Sequence, residues 1–230
     1  TYTIFEYDKI NTEIILLNKI TETLVFFKDI FINTYPTLDN KSVSIKLPNS
    51  YDVIEIGEIY KKIGKSLNQI ITKEPINGDV KLSNFDNGSL WIDIMLGTTA
   101  AVHVFGAIIW GASYCMKEYK KLKLIELDYE RNNIAVGNLE MIKTMNENLM
   151  KMYLEKEAEN ILQNHYEISG KEDPEFLSRM KNTIKEFSEL IEKGTEVHPA
   201  LEVANEIKHE FPDFKNLEFI ESKIKQIENN

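Results

Sequence analysis

The residues best able to do chemistry stand in two short patterns, and each pattern lacks a required part. Residues 59–66, IYKKIGKS, end in the Gly-Lys-Ser of a phosphate-binding loop, but that loop also needs a glycine at the position held by Ile59. Glu206 and His209 have the spacing of two metal ligands on one helix face, yet a carboxylate-bridged site needs a second such pair, which the sequence lacks. We interpret the first pattern as a solvated lysine cluster and the second as a surface pair.

Three further ionisable side chains fall in or beside the most apolar part of the chain. His103 and Cys115 are a base and a nucleophile by type, but twelve residues along one helix separate them by about 18 Å. Asp93 and His103 stand among apolar neighbours, where an ionisable group needs a partner or water. They form the candidate functional polar pair, although a solvent-exposed aspartate and a satisfied core histidine are the simpler interpretation.

No other residues predict catalysis, a cofactor site or a metal site. The sequence has no serine hydrolase elbow, zinc-ligand pair, calcium-binding loop or glycine-rich dinucleotide turn. An enzyme is therefore not favoured, and we predict no catalytic residues, cofactors or metals. A catalytic or ligand-binding site assembled from distant loops stays open as a third hypothesis.

Charge and cysteine content narrow the partners and the compartment. A net charge of −10 opposes a broad phosphate-binding surface, so nucleic acid is not a predicted partner. The single cysteine excludes an internal disulfide and indicates a reducing compartment. The first residues carry acids where a signal peptide needs basic and apolar residues, so we predict a cytoplasmic protein. Frequent Ile, Lys and Asn residues suggest an AT-rich bacterial or phage genome.

Hydrophobic periodicity predicts the elements of the N-terminal part, residues 1–97. Apolar residues at helical spacing predict a long helix from residue 4 to residue 35. Alternation predicts a strand over residues 42–47 and a β-hairpin over residues 78–97. A helical apolar face predicts a helix over residues 52–72 between them. These elements predict a small β-α-β-β sheet unit whose apolar face the second helix covers.

Helical patterns continue through the rest of the chain. Residues 98–168 predict a very long apolar-then-amphipathic helix, either unbroken or divided near residues 132–137. Residues 169–230 predict a C-terminal helical unit, with helices beginning at Pro174, Pro199 and about Phe214. The predicted fold is α+β and mainly α. Its predicted domains are residues 1–97, 98–168 and 169–230.

The longest apolar run, residues 88–116, contains both tryptophans. Residues 94–116 contain one histidine, His103, and no Asp, Glu, Lys or Arg. This segment therefore has the length and low polarity of a membrane-spanning helix. The alternation that predicts the β-hairpin leaves a helix only just long enough to span a membrane, so we favour a buried core or an oligomer interface. We also predict a strand-to-helix junction at residues 97–99. The candidate interface or membrane-facing residues are Val102, Phe105, Ile109 and Trp110.

Taken together, these features favour a non-enzymatic, self-associating bacterial or phage protein. It is predicted to be an oligomeric scaffold or interaction module whose partner is a second copy. The alternative is a membrane-acting or membrane-anchored effector, of an antiviral defence or toxin system, that uses residues 94–116. The protein is then membrane-associated rather than cytoplasmic.

Overall fold

A computed structural model describes residues 12–27, 40–48, 52–85, 90–132, 136–200 and 207–224 of the chain. Contacts divide the chain into two units, Thr1–Thr37 and Leu38–Asn230. The described elements form an α+β protein that is mainly α, with one small antiparallel sheet, as the sequence predicts.

Helix α1 is the described element of the first unit and covers residues 12–27. The predicted helix is confirmed over these residues, and both of its predicted ends lie outside the described part of the chain. Nine large apolar side chains of α1 are between 48% and 63% exposed. They are Ile14, Ile15, Leu16, Leu17, Ile20, Leu24, Val25, Phe26 and Phe27.

Four strands of the second unit form one antiparallel sheet in the order β2-β3-β1-β4. The strands are β1 (Ser42–Lys46), β2 (Lys81–Phe85), β3 (Trp91–Met95) and β4 (Glu196–Pro199). Val43 and Ile45 on β1 lie opposite Ile94 and Ile92 on β3, and all four side chains are buried. This alternation of buried and half-buried residues gives the sheet one core face, as predicted.

Strand β4 corrects the prediction of a three-stranded sheet and places Pro199 at the end of a strand rather than at the start of a helix. β4 pairs with β1, which places the fully buried Val197 opposite Ile45. The two strands are about 150 residues apart in the chain. Local periodicity carries no signal for such a pairing, because four residues ending in proline match a helix start equally well.

Helix α2, Val53–Ile71, begins where the sequence predicts it. The Asp52 carboxylate accepts a hydrogen bond of 2.7 Å from the Ile54 amide and so satisfies a first-turn donor. The apolar face of α2 is buried and packs against helix α5 (Pro174–Glu192) as well as the core. Its buried large apolar residues are Ile59, Ile63, Leu67, Ile70 and Ile71.

The predicted strand-to-helix junction at residues 97–99 is confirmed. Gly97 has a φ of +78°, and a Cβ there would lie 2.9 Å from the Asp79 amide nitrogen. Both the backbone conformation and the close contact therefore require glycine. Thr98 then caps helix α3, because its Oγ1 accepts a hydrogen bond of 3.1 Å from the Ala101 amide. Helix α3 extends over Thr99–Arg131.

Residues 98–168 form two helices, and the division falls within the predicted break. Helix α4, Val136–Tyr166, returns antiparallel to α3. Asn146 of α4 is buried and joins the two, since its amide donates to the Leu122 carbonyl at 3.1 Å and to Glu126 Oε1 at 3.0 Å. We call α3 and α4 together the hairpin.

Helix α5, Pro174–Glu192, packs against α2 and both helices of the hairpin. Asp173 caps it by accepting a hydrogen bond of 2.9 Å from the Phe176 amide, and Pro174 occupies its first turn. This start is predicted correctly from the sequence. The helix therefore contributes a third wall to the core around α3.

Residues 207–224, which we call the strap, lie against α3 and α4 and form two short 3-10 turns rather than a long helix. The predicted helix start at about Phe214 is therefore wrong; residues 223–224 are helical, and the rest of the predicted helix lies outside the described residues. Trp110 Nε1 donates to the Glu221 carbonyl at 2.8 Å, and the Lys117 ammonium group donates to the Ile220 carbonyl. These bonds from α3 satisfy strap carbonyls that a helix would satisfy internally. The helix predicted after Pro199 falls largely outside the described residues.

Candidate functional site

The side chains predicted to face an interface or a membrane lie mainly in the core of the chain itself. Val102, Phe105 and Ile109 are fully buried. The Phe105 ring meets the Phe187 ring of α5 edge to face, with 5.2 Å between ring centroids. Trp110 is half-buried against the strap. The prediction is therefore corrected for the first three residues, because elements distant in sequence cover them.

Helix α3 nevertheless has the length and composition of a membrane-spanning helix. It contains 33 residues and an 18-residue window with a mean hydropathy of 1.3. However, 67% of that window is buried inside the protein. The core helix of a soluble protein has the same composition, because it is apolar on every side that other elements cover. The burial of α3 is compatible with a soluble protein.

Asp93 lies on the face of the sheet opposite the core. Ser44 Oγ donates a hydrogen bond of 2.7 Å to Asp93 Oδ1, and Ser44 also lies opposite His198 on β4. The centroid of the His198 ring lies 5.6 Å from that of the Trp91 ring and 5.4 Å from that of the Phe214 ring. Sequence reasoning missed this row of polar and aromatic side chains because it missed β4.

The charges on this sheet face are paired with one another. Glu196 contacts the Lys46 ammonium group at 2.6 Å and His198 Nε2 at 3.2 Å. Desolvation raises the pKa of Glu196, but hydrogen bonds and charge from Lys46 and His198 outweigh it and leave the pKa lowered. The arrangement is that of a compensated ion-pair network rather than of an activated nucleophile.

His103 faces the strap. Its Nδ1 lies 3.4 Å from Glu210 Oε1, and the Lys223 ammonium group lies 3.2 Å from Glu210 Oε2. Desolvation raises the pKa of Glu210, but Lys223 and His103 outweigh it and leave the pKa lowered, while burial lowers the pKa of the nearby His165. In the part of the chain that the structure describes, no hydrogen bond or ion pair joins His103 to Asp93, and a functional role for the pair stays a prediction.

Two ionisable groups are buried in the core near the first half of α3, Glu157 on α4 and Cys115 on α3 itself. Glu157 of α4 is 3% exposed and accepts a hydrogen bond from the Ser222 hydroxyl of the strap. Burial raises the pKa of Glu157 despite that bond and the charge of Lys223. Cys115 is fully buried, and burial raises the pKa of its thiol, which keeps it protonated and unreactive.

The two sequence patterns that suggested chemistry have structural explanations. Residues 59–66 lie inside α2, where the Ser66 hydroxyl donates to Glu186 of α5, so no loop is present to enclose a phosphate. His209 is exposed and lies 3.4 Å from Glu210, while its predicted partner Glu206 lies outside the described residues. Among the described residues, no group of three or more His, Cys, Asp and Glu side chains is placed to hold a metal ion.

The end of the hairpin away from the sheet exposes large apolar side chains, from 37% to 69% of each. They are Tyr119, Leu124, Ile125, Leu127 and Tyr129 on α3 and Met141, Met145 and Met152 on α4. We define the methionine stripe of α4 as the exposed residues Asn138, Met141, Met145, Asn148 and Met152. A shallow pocket of about 450 Å³ lies along most of the stripe.

A second concave feature lies between α3, α4 and α5. This groove has a volume of about 640 Å³ and includes Leu122, Met150 and Leu154 among its lining residues. Lysine and glutamate side chains also line it, and some pair with each other, as Lys123 does with Glu126 at 3.1 Å. The groove thus has no dominant charge, whereas the methionine stripe has no charge at all.

Comparison with known proteins identifies a bacterial relative. YqaP of Bacillus subtilis (strain 168), whose full name is "Uncharacterized protein YqaP", is 32% identical to this chain over 225 residues. The match covers 92% of this chain and 72% of YqaP. This chain belongs to the YqaP family. No family model and no solved structure matches it.

The name of YqaP carries no activity, so the geometry of the chain is the ground for a function. The polar groups of this YqaP-family chain that lie beside Asp93 and His103 are engaged in pairs within the protein. The methionine stripe is different, because its apolar side chains are exposed along one face of α4. The stripe is therefore the candidate functional site. Its regular spacing was visible in the sequence, but not which face of α4 stays exposed.

Proposed function

We propose that this protein is a non-enzymatic, self-associating bacterial protein whose hairpin forms the subunit interface. The observation that carries the proposal is the exposure of three methionines on one face of α4: Met141 is 69% exposed, Met145 61% and Met152 53%. Contiguous exposed apolar residues of this kind mark interaction surfaces. The proposed interface lies outside residues 94–116, because the side chains of that segment are largely buried in the core of the chain.

The energies involved indicate a dimer that depends on concentration. Full burial of a methionine contributes about 1.5–3 kcal/mol, so burial of the exposed part contributes about 1–2 kcal/mol. Three methionines from each copy then supply about 6–12 kcal/mol in total. The loss of translational and rotational freedom costs about 4–15 kcal/mol, so the two terms are similar in size. Other contacts at the hairpin decide the balance, so association is expected to be weak and to depend on protein concentration.

Light scattering in buffer without detergent tests the proposal. The mass of the wild-type protein is expected to rise with concentration, and Met145→Lys is expected to hold it at the monomer value, because a lysine in the interface must be desolvated. Leu82→Lys is the matched control, since Leu82 on the edge strand β2 is 60% exposed and lies outside the hairpin. A wild-type monomer at every concentration would contradict the proposal.

A membrane-associated effector, of an antiviral defence or toxin system, is the second candidate function. The composition of α3 and the nine exposed apolar side chains of α1 favour it. Use of residues 94–116 would require α3 to leave the core that covers it, so α1 is the more accessible apolar surface. Flotation with liposomes tests this candidate: recovery with the vesicles supports it, and recovery only in the soluble fraction removes it. A cytoplasmic location belongs with the first proposal.

A further inference from the structure

The spacing of the methionine stripe is that of a coiled-coil seam. Its five positions are three or four residues apart in alternation, which gives the average period of 3.5 residues that keeps a seam facing one partner helix. All five side chains are exposed and none is charged. The stripe thus forms an apolar surface about 21 Å long, interrupted by two amides, on which a partner helix of similar length can pack.

The stripe is nearly symmetric about its middle residue. Asn138 stands seven residues before Met145 and Met152 seven residues after it. Met141 stands four residues before, and Leu149, which lines the same shallow pocket, stands four residues after. An antiparallel copy of α4 centred on Met145 therefore places an apolar or amide side chain opposite every position of the stripe.

The residues that follow the stripe favour the antiparallel orientation. Glu155 and Glu159 continue the same helix face and are exposed, and Glu155 Oε2 also lies 3.8 Å from the Lys181 ammonium group. In a parallel pair each glutamate would meet its own copy, and like charges at such positions are destabilising. In the antiparallel pair they lie near the first turn of the partner's α4, which contains no acidic residue and carries the positive end of the helix dipole.

The position of the rest of the fold points the same way. Strand β3 ends at Met95, so the sheet lies beside the start of α3 and far from its end at Arg131, and α5 and the strap also contact the hairpin. An antiparallel pair places the sheets of the two copies at opposite ends of the interface. A parallel pair would crowd them at the same end.

We infer that two copies associate through an antiparallel pair of α4 helices, related by a two-fold axis at Met145. The inference rests on the proposed function, because it names the partner as a second copy and fixes its orientation. A two-fold contact is self-complementary, so each half of the stripe binds the other half of its partner. Closed pairing of this kind yields a dimer rather than a filament.

Cysteine cross-linking under mild oxidation tests the orientation. Met145→Cys is expected to form a covalent dimer, because residues on the two-fold axis are close enough for a disulfide. Met152→Cys is expected to form none, because the antiparallel pair separates the two copies of residue 152 by about 21 Å along the axis. Lys143→Cys, on the same helix but outside the stripe, is the control, and the native Cys115 is buried.

Each outcome has a distinct meaning when light scattering on the wild-type protein accompanies the experiment. A cross-link at residue 145 alone supports the inference. Cross-links at both 145 and 152 show a parallel pair and overturn it. A wild-type dimer without a cross-link at residue 145 overturns the orientation and leaves the proposed function standing. A wild-type monomer overturns the proposed function itself.

Discussion

The first half of α3 and the far end of the hairpin contain similar residues in opposite environments. Between Thr99 and Met116 the large apolar side chains of α3 are mostly buried, with Phe105 and Ile109 fully so. Beyond Met116, Leu124 is 61% exposed and Met145, on the returning helix, is equally so. Helical periodicity is present in both regions. What separates them is the set of elements that pack on each.

This contrast shows that an apolar helix face predicts burial without naming the partner that provides it. Helices α2, α4 and α5 and the strap pack on α3, and all four come from other parts of the sequence. Few described elements reach the exposed face of α4. A second copy of the chain is our proposal for the missing cover, and five substitutions test how far the two regions differ.

Phe105→Ala is expected to have the largest effect. It removes a fully buried ring that packs on Phe187, and such a change costs about 3–5 kcal/mol of unfolding free energy. Urea unfolding followed by circular dichroism measures it. Val53→Ala, at a position 82% exposed, is the control and is expected to change stability by less than about 0.5 kcal/mol. A similar small loss at residue 105 would show that this half of α3 is not core.

Gly97→Ala tests the junction where the buried half begins. The positive φ costs an alanine about 1–2 kcal/mol, and the close contact with the Asp79 amide adds to it. Gly57→Ala is the matched control, because its Cβ meets no atom within 4 Å and alanine improves helix propensity by up to about 1 kcal/mol. We expect urea unfolding to show opposite signs for the two variants. Equal effects would mean that the junction is not constrained.

The junction also shows how much the sequence predicts. Alternation up to Leu96, a glycine and a hydroxyl cap are local signals, and they placed the start of α3 correctly. The signals that predicted the division between α3 and α4 and the start of α5 were equally local. Strand β4 and the strap were not, because their hydrogen bonds join residues about 100–150 positions apart. Exposure of the methionine stripe could not be predicted either, since the period of a helix does not tell which face meets a neighbour.

Met141→Ala and Met152→Ala test the exposed region at lower cost to the fold. Each is expected to raise the dimer dissociation constant about tenfold to a hundredfold, because the two copies together lose about 1.4–2.7 kcal/mol of apolar burial. Sedimentation velocity measures the change. The unfolding free energy of the diluted monomer is expected to stay the same, because both side chains are more than half exposed. Leu82→Ala, outside the hairpin, is expected to leave association unchanged.

Glu157→Gln tests the cost of a buried carboxylate beside the first half of α3. Burial raises the folded-state pKa of Glu157, so its contribution to stability is complete below the unfolded pKa and is lost as pH rises through the folded pKa. Glutamine keeps an oxygen for Ser222 but carries no charge. The variant is therefore expected to gain urea resistance over wild type at pH 8 and not at pH 4. Glu140→Gln, exposed on the same helix, is the control, and an equal gain there would remove Glu157 as the cause.

Hydrogen–deuterium exchange at low and high protein concentration tests whether a second copy covers the methionine stripe. Amides of residues 99–116 are expected to exchange slowly at both concentrations, because the chain's own elements bury that half of α3. Amides of residues 138–152 are expected to become more protected as concentration rises, because a second copy covers the methionine stripe. Protection of residues 99–116 that rises with concentration, with none at residues 138–152, would contradict the account.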